Sequence, residues 1–231
     1  MRIALMFGVL FLLAGCVYLD NTMLDSAEPL RPGKPEIQLY TGTGFDVSSV
    51  VIKEESVPCY PDGKRASEGQ VWGCKTAIGL GNDFELGYKS WTGEGVGSRL
   101  ILKKRFYYDG DYSIAVSPSG YFLKKKSGYA REVYGWEAPV LITYRPIEQM
   151  GFTMKLHYSN ALYSESYRDD QYMQNVTRGP YKIEHFGVVG GFNLKANIFS
   201  LYAEIGLDLI NGHNNPTQIF IQRGFGIGLE F

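Results

Sequence analysis

The chain closes on Gly224-Phe225-Gly226-Ile227-Gly228-Leu229-Glu230-Phe231. Phe225, Ile227, Leu229 and Phe231 share one parity, while Gly224, Gly226 and Gly228 share the other. Successive side chains of a strand point to opposite faces, so this stretch reads as a strand with one face of large apolar groups and one of bare backbone.

The same period of two recurs upstream. Ile78, Leu80, Phe84, Leu86 and Tyr88 alternate with Gly79, Asp83, Glu85 and Lys89. A tilted transmembrane strand needs about 9–11 residues, and 75–91 is long enough. Similar segments follow at 97–107, 112–123, 131–145, 149–159, 183–194, 197–210 and 218–231. Eight strands result, the smallest usual size of an antiparallel outer-membrane β-barrel. A count of ten stays open: 75–91 can split at Gly81-Asn82, and 36–47 alternates through Ile37, Leu39, Thr41, Thr43 and Phe45. Connections near Tyr108-Asp109-Gly110-Asp111, 145–148 and Lys195-Ala196-Asn197 are short, whereas 160–182 and 211–217 are longer. That asymmetry predicts short periplasmic turns and longer outer loops, with both chain ends in the periplasm. An eight-stranded barrel is filled by its own side chains, which disfavours a porin.

Composition agrees. The 231 residues suit one domain with appendages. A content of 45% hydrophobic and 20% charged residues, with net charge −1, excludes a disordered polyelectrolyte and offers nucleic acid no basic surface. Glycine at 28, Tyr at 17 and Phe at 13 suit tightly twisted strands with aromatic girdles. A mean hydropathy of −0.15 excludes a bundle of membrane helices but not a barrel of alternating strands.

At the N-terminus, Arg2 precedes an apolar run from Ile3 to Leu13, too short for a spanning helix and suited to a signal-peptide core. Leu13-Ala14-Gly15-Cys16 resembles the lipobox of bacterial lipoproteins. The resemblance implies that residues 1–15 are removed and that Cys16 is lipidated. Val17, in place of an aspartate, implies the outer membrane of a Gram-negative cell. Residues 16–35 carry Pro29, Pro32 and Pro35 and read as a tether. Residues 36–74 read as a strand and a loop, ahead of a barrel over 75–231. Cys59 and Cys74 form an even pair in an exported protein, so a disulfide is expected; with no nearby histidines a zinc site is not. The last strand resembles the C-terminal signal read by the barrel-assembly machinery, which is thereby an expected partner.

Three histidines are present: His157, His185 and His213. His213 sits in the polar stretch Asn211-Gly212-His213-Asn214-Asn215 and reads as solvated. His157 and Ser159 lie two apart on a strand and so share a face, where an imidazole can take the proton of an attacking hydroxyl. Gly151-Phe152, followed by His157-Tyr158-Ser159-Asn160-Ala161, resembles the active-site strand of the PagL-type lipid A 3-O-deacylases. Those are eight-stranded outer-membrane barrels that hydrolyse a fatty ester of lipid A without metal or cofactor. The resemblance implies His157 as base, Ser159 as nucleophile, Asn160 in the oxyanion hole, Glu184 as the orienting acid and lipid A of the lipopolysaccharide leaflet as substrate. Parity turns Glu184 away from His157 unless a bulge intervenes, and Glu165 is the alternative acid. Lys124-Lys125-Lys126 reads as a solvated rim or as a seat for lipid A phosphates. Two functions follow from this reading: a serine esterase on lipid A, or a non-catalytic barrel lipoprotein with a structural or surface-binding role.

Overall fold

The computed structural model describes residues 18–20, 22, 24–47, 50, 68–93, 95–125, 130–169, 174–212 and 217–231. In chain order the strands are β1 (Tyr18–Asp20), β2 (Pro35–Asp46), β3 (Glu68–Gly81), β4 (Phe84–Thr92), β5 (Val96–Tyr108), β6 (Tyr112–Val116), β7 (Ser119–Lys125), β8 (Ala130–Ile147), β9 (Met150–Asp169), β10 (Gln174–Ala196), β11 (Phe199–Asn211) and β12 (Gln218–Glu230). Each pairs antiparallel with its neighbours, and β2 pairs with both β12 and β3, which closes the sheet. β6 and β7 are halves of one stave interrupted at Ser117-Pro118, since both lie between β5 and β8. With that stave counted once and β1 set apart, the wall has ten strands.

The count is therefore ten, the alternative the sequence left open, and not the eight it favours. Asn82 and Asp83 take positive φ of 50° and 64°, the two left-handed residues of a tight hairpin, so 75–91 is two strands joined by a turn. Its alternation runs across the turn, which is why the stretch reads as continuous. The barrel also begins at Pro35 rather than 75, because β2 and the start of β3 belong to its wall. The expected long loop over 160–182 is mostly ladder: β9 and β10 stay paired from Met150 and Leu194 out to Asp169 and Gln174. At 20 and 23 residues these strands exceed what a bilayer needs, so the hairpin extends beyond it at the loop end.

Polarity is inverted relative to a protein dissolved in water. Arg99 and Lys103 are each 2% exposed, while Leu100 and Leu102, on the opposite parity of the same strand, are 58% and 42% exposed. Two sheets stacked in water would bury the apolar face; here it surrounds the molecule, the arrangement a hydrocarbon solvent requires. Aromatic pairs mark the two borders of this band. Tyr112 stacks on Tyr144 at 4.8 Å and Phe152 meets Phe192 at a tilt at 5.9 Å near the short turns, and Trp136 meets Tyr158 at 5.6 Å nearer the loops. Trp136 and Tyr144 are eight positions apart on β8. At about 3.3 Å per residue and a tilt of about 40° that separation is roughly 20 Å along the membrane normal, close to the usual band height.

The lumen is not empty. A wall of more than eight strands leaves more room than its side chains fill, and the described residues among 18–32 occupy it. β1 pairs with β2 at Asp46, Phe45 and Gly44, above the point where β12 leaves β2 at Gly42. From there the chain descends to Pro32, which bridges to Gly79 beside the first short turn. The expected tether is thus an internal plug. The described chain starts at the loop end of the wall, and its last strand finishes, at Glu230, at the short-turn end.

Candidate functional site

The plug is held chiefly by charge. Asp20 pairs with Lys89 at 2.8 Å and accepts a hydrogen bond from Tyr40 at 2.6 Å, while Arg99 donates to its carbonyl at 3.0 Å. Lower down, Asp25 meets Lys103 at 2.7 Å and Lys75 at 3.3 Å, and Arg145 Nε donates to Glu28 at 2.7 Å. The backbone is bound as well: Leu24 N donates to Glu204 at 2.9 Å, Ala27 N to Thr143 at 2.8 Å and Leu30 N to Glu85 at 2.9 Å. Each carboxylate of this anionic segment meets a cation of the wall, which is what makes burying them tolerable. The plug also needs close approach to the wall. A Cβ at Gly42 would overlap Thr22, and one at Gly226 would stand 3.0 Å from Leu24 Cδ1. The glycine face of the last strand is therefore the bed on which the plug lies.

Above the charged layer an apolar layer closes the loop end. Phe45, Trp91, Leu123, Val133, Tyr163, Ile183, Ile210 and Phe220 point inward and pack together, none more than 2% exposed.

Between these layers lies the histidine cluster. His157 on β9, Gly187 on β10 and Asp208 on β11 stand in one row across the sheet. Because Gly187 has no side chain, His157 Nε2 and Asp208 Oδ1 meet over it at 2.9 Å. The other ring nitrogen, Nδ1, meets Glu137 Oε1 on β8 at 2.6 Å. Glu137 also takes Arg99 Nη1 at 2.6 Å. His185 Nε2 lies 3.3 Å from the same Asp208 oxygen, and its ring sits edge-on to His157 at 4.7 Å. Both ring nitrogens of His157 therefore face carboxylates, Nδ1 towards Glu137 and Nε2 towards Asp208.

The expected catalytic set is not assembled. His157 and Ser159 do share the lumenal face, 1% and 2% exposed, but Ser159 Oγ bonds Tyr121 OH at 2.8 Å and His157 is committed to its two carboxylates. Glu184 lies on the outer face, where Tyr158 OH donates to it at 2.8 Å and Lys182 pairs with it at 2.8 Å. No bulge rescues it: the β9–β10 register is continuous from Tyr181 to Leu194, and the one irregularity falls at Arg178/Tyr181. Asn160 has the outward parity of Glu184, its ladder partner. Glu165 points inward but is eight residues farther along β9 than His157, paired with Arg131 at 3.0 Å. The acids that do meet His157 are Glu137 and Asp208. Both were legible as charges on otherwise glycine- and apolar-flanked strands, yet only ladder register brings them into the row of His157.

The other expected residues are placed as follows. Cys74 is a free thiol of outward parity on β3, so the expected staple is not seen, and its partner Cys59 lies outside the described residues. Cys16 and His213 also lie outside them, as does Lys126. Lys124 pairs with Glu132, a rim ion pair.

No protein-family model matches the sequence, and no curated protein matches it significantly. Among solved structures, an outer membrane channel from Pseudomonas putida F1 is similar at 11% identity and TM-score 0.52, covering 89% of this chain and 98% of that one. The outer membrane protease OmpT from Escherichia coli aligns over 89% of this chain and all (100%) of its own at 12% identity, with TM-score 0.44. At such identities the likeness concerns architecture alone: the chain has the closed antiparallel β-barrel fold of outer-membrane proteins, in agreement with its inverted polarity.

Proposed function

We propose that this chain is a self-plugged, non-conducting outer-membrane lipoprotein whose work is done at its outer surface, in a structural or binding role, and not by ester hydrolysis in its lumen. The observation that carries this reading is the occupied lumen: Asp20, Asp25 and Glu28 are ion-paired to the wall from one end of the plug to the other. Short turns face the periplasm in barrels of this kind, so the end at which the plug enters faces outward. Cys16, two residues before Tyr18, is then acylated and anchored on the outer side of the membrane. Its partners on this reading are the lipopolysaccharide around the apolar wall and the barrel-assembly machinery that inserts it.

The test is an epitope inserted after Val17, probed with antibody on intact cells. Detection without permeabilisation supports the reading, and detection only after permeabilisation overturns it. The esterase reading has its own outcome: lipid A from cells with wild type or Ser159→Ala should have identical mass spectra, and loss of an acyl chain that depends on Ser159 would restore it.

A further inference from the structure

We propose that His157, His185 and Asp208 form a binding site for a zinc-class divalent cation inside the barrel. Their ligand atoms all lie within 4.8 Å of one another, on three adjacent strands. In a tetrahedral site with metal–nitrogen and metal–oxygen bonds of about 2.0–2.1 Å, ligand atoms stand roughly 3.4 Å apart. The separations here are 2.9 Å from His157 to Asp208 and 3.3 Å from His185 to Asp208, so an ion is admitted by small rotations about the side-chain torsions.

Two features argue for a cation rather than for a structural ion pair alone. Glu137 accepts from His157 Nδ1 at 2.6 Å. That hydrogen bond fixes the proton on Nδ1 and aims the Nε2 lone pair at the cluster, as carboxylate–histidine–metal relays do. Gly187 then leaves space at the centre of the row, where a Cβ would overlap both His157 Nε2 and Asp208 Oδ1. A donor set of two imidazoles and one carboxylate suits zinc and its neighbours over magnesium or calcium. The Nε2 proton facing Asp208 leaves to water as the nitrogen–metal bond forms, so the site gains one unit of positive charge. Asp208 and Glu137 are the two anions beside it, and Glu137 also carries Arg99. The bound ion ties β9, β10 and β11 directly and β8 through Glu137, with its fourth position left to water.

The probe is zinc ion alone, added to the full chain during refolding in detergent and again after folding, followed by dialysis and elemental analysis. Wild type should retain about one zinc per chain. His185→Gln and Asp208→Asn, each verified as folded by its heat-dependent gel shift, should retain little. Glu137→Gln should bind about 10–100-fold more weakly, as loss of an outer-shell partner does. Copper(II) substituted for zinc should show hyperfine coupling to two imidazole nitrogens in its electron spin resonance spectrum. Zinc below about one-fifth per chain in both loading regimes overturns the site. So does zinc retained equally by wild type and folded His185→Gln, because cysteines or His213 would then be holding it.

Discussion

Replacing Gly187 with alanine puts a methyl group into the contact that joins β9 to β11 across β10. The added Cβ would overlap His157 Nε2 and Asp208 Oδ1 and stand 2.7 Å from His157 Cδ2. His157 has nowhere to retreat, because Nδ1 is bonded to Glu137 at 2.6 Å and its ring lies against His185 at 4.7 Å. Either the bond to Asp208 or the bond to Glu137 must break, leaving Asp208 with His185 alone or Glu137 with Arg99 alone. Breaking a buried pair in this way costs about 3–5 kcal/mol, a large part of the roughly 5–15 kcal/mol that holds a typical domain. The assay is urea unfolding in detergent micelles followed by tryptophan fluorescence, with the midpoint shift read at constant slope. Gly190→Ala is the control: it faces outward, with nothing nearer than 3.9 Å to the new carbon, and should change stability by less than about 0.5 kcal/mol. In a His157→Ala/Asp208→Ala background the Gly187→Ala substitution should be nearly neutral, since the groups it displaces are gone. A cost below about 1 kcal/mol in wild type, or an equal cost in both backgrounds, would refute the reasoning.

Four further outcomes follow. Gly42→Val should push Thr22 and the plug off the β2 wall, so single-channel conductance in a planar bilayer should appear where wild type is silent; Thr43→Val, of outward parity, should stay silent. Asp25→Asn leaves Lys75 and Lys103 sharing Glu85 and should destabilise the folded barrel by about 3–5 kcal/mol in the same urea assay. Glu184→Gln alters an exposed interfacial ion pair and should leave the urea midpoint nearly unchanged, with any small shift vanishing as salt is added. Brominated lipids should quench Trp72 and Trp136, which are 53% and 50% exposed, but not Trp91 at 2%, as single-tryptophan variants read by fluorescence would show.

The wall was legible because a membrane barrel writes each strand in period two, and Phe225, Ile227 and Leu229 against Gly224, Gly226 and Gly228 survive in the structure as outside against inside. Strand number was less legible. Alternation runs on through a turn made by two left-handed residues, so Gly81-Asn82 offers a split between Leu80 and Phe84 without deciding between one strand and two. For the histidine cluster, parity placed His157 and Ser159 inward and turned Glu184 outward. A motif fixes order along one strand, whereas the acid that meets His157 is decided by the register of β8, β10 and β11. Neither Glu137 nor Asp208 is near His157 in sequence, and Gly187, which lets Asp208 reach, carries no side chain to notice.

The plug was invisible for a related reason. Residues 18–32 have no apolar period, and a segment rich in proline and acid reads as a tether whenever its surroundings are taken to be water. Inside a barrel the test of fit is reversed: a lumen walled by Lys75, Lys89, Arg99, Lys103 and Arg145 selects carboxylates, and Asp20, Asp25 and Glu28 supply them. The same inversion explains why the last strand alternates with glycine and not with serine or threonine. Inner side chains at 224 and 226 would crowd Thr22 and Leu24 of the plug, and one at 228 would meet Ser200 and Glu36 of the wall, so the face that looks empty in the sequence is one that other parts of the chain fill. Plug and glycine strand therefore specify each other, and lengthening the inner side chains of β12 should expel the plug as surely as neutralising its acids.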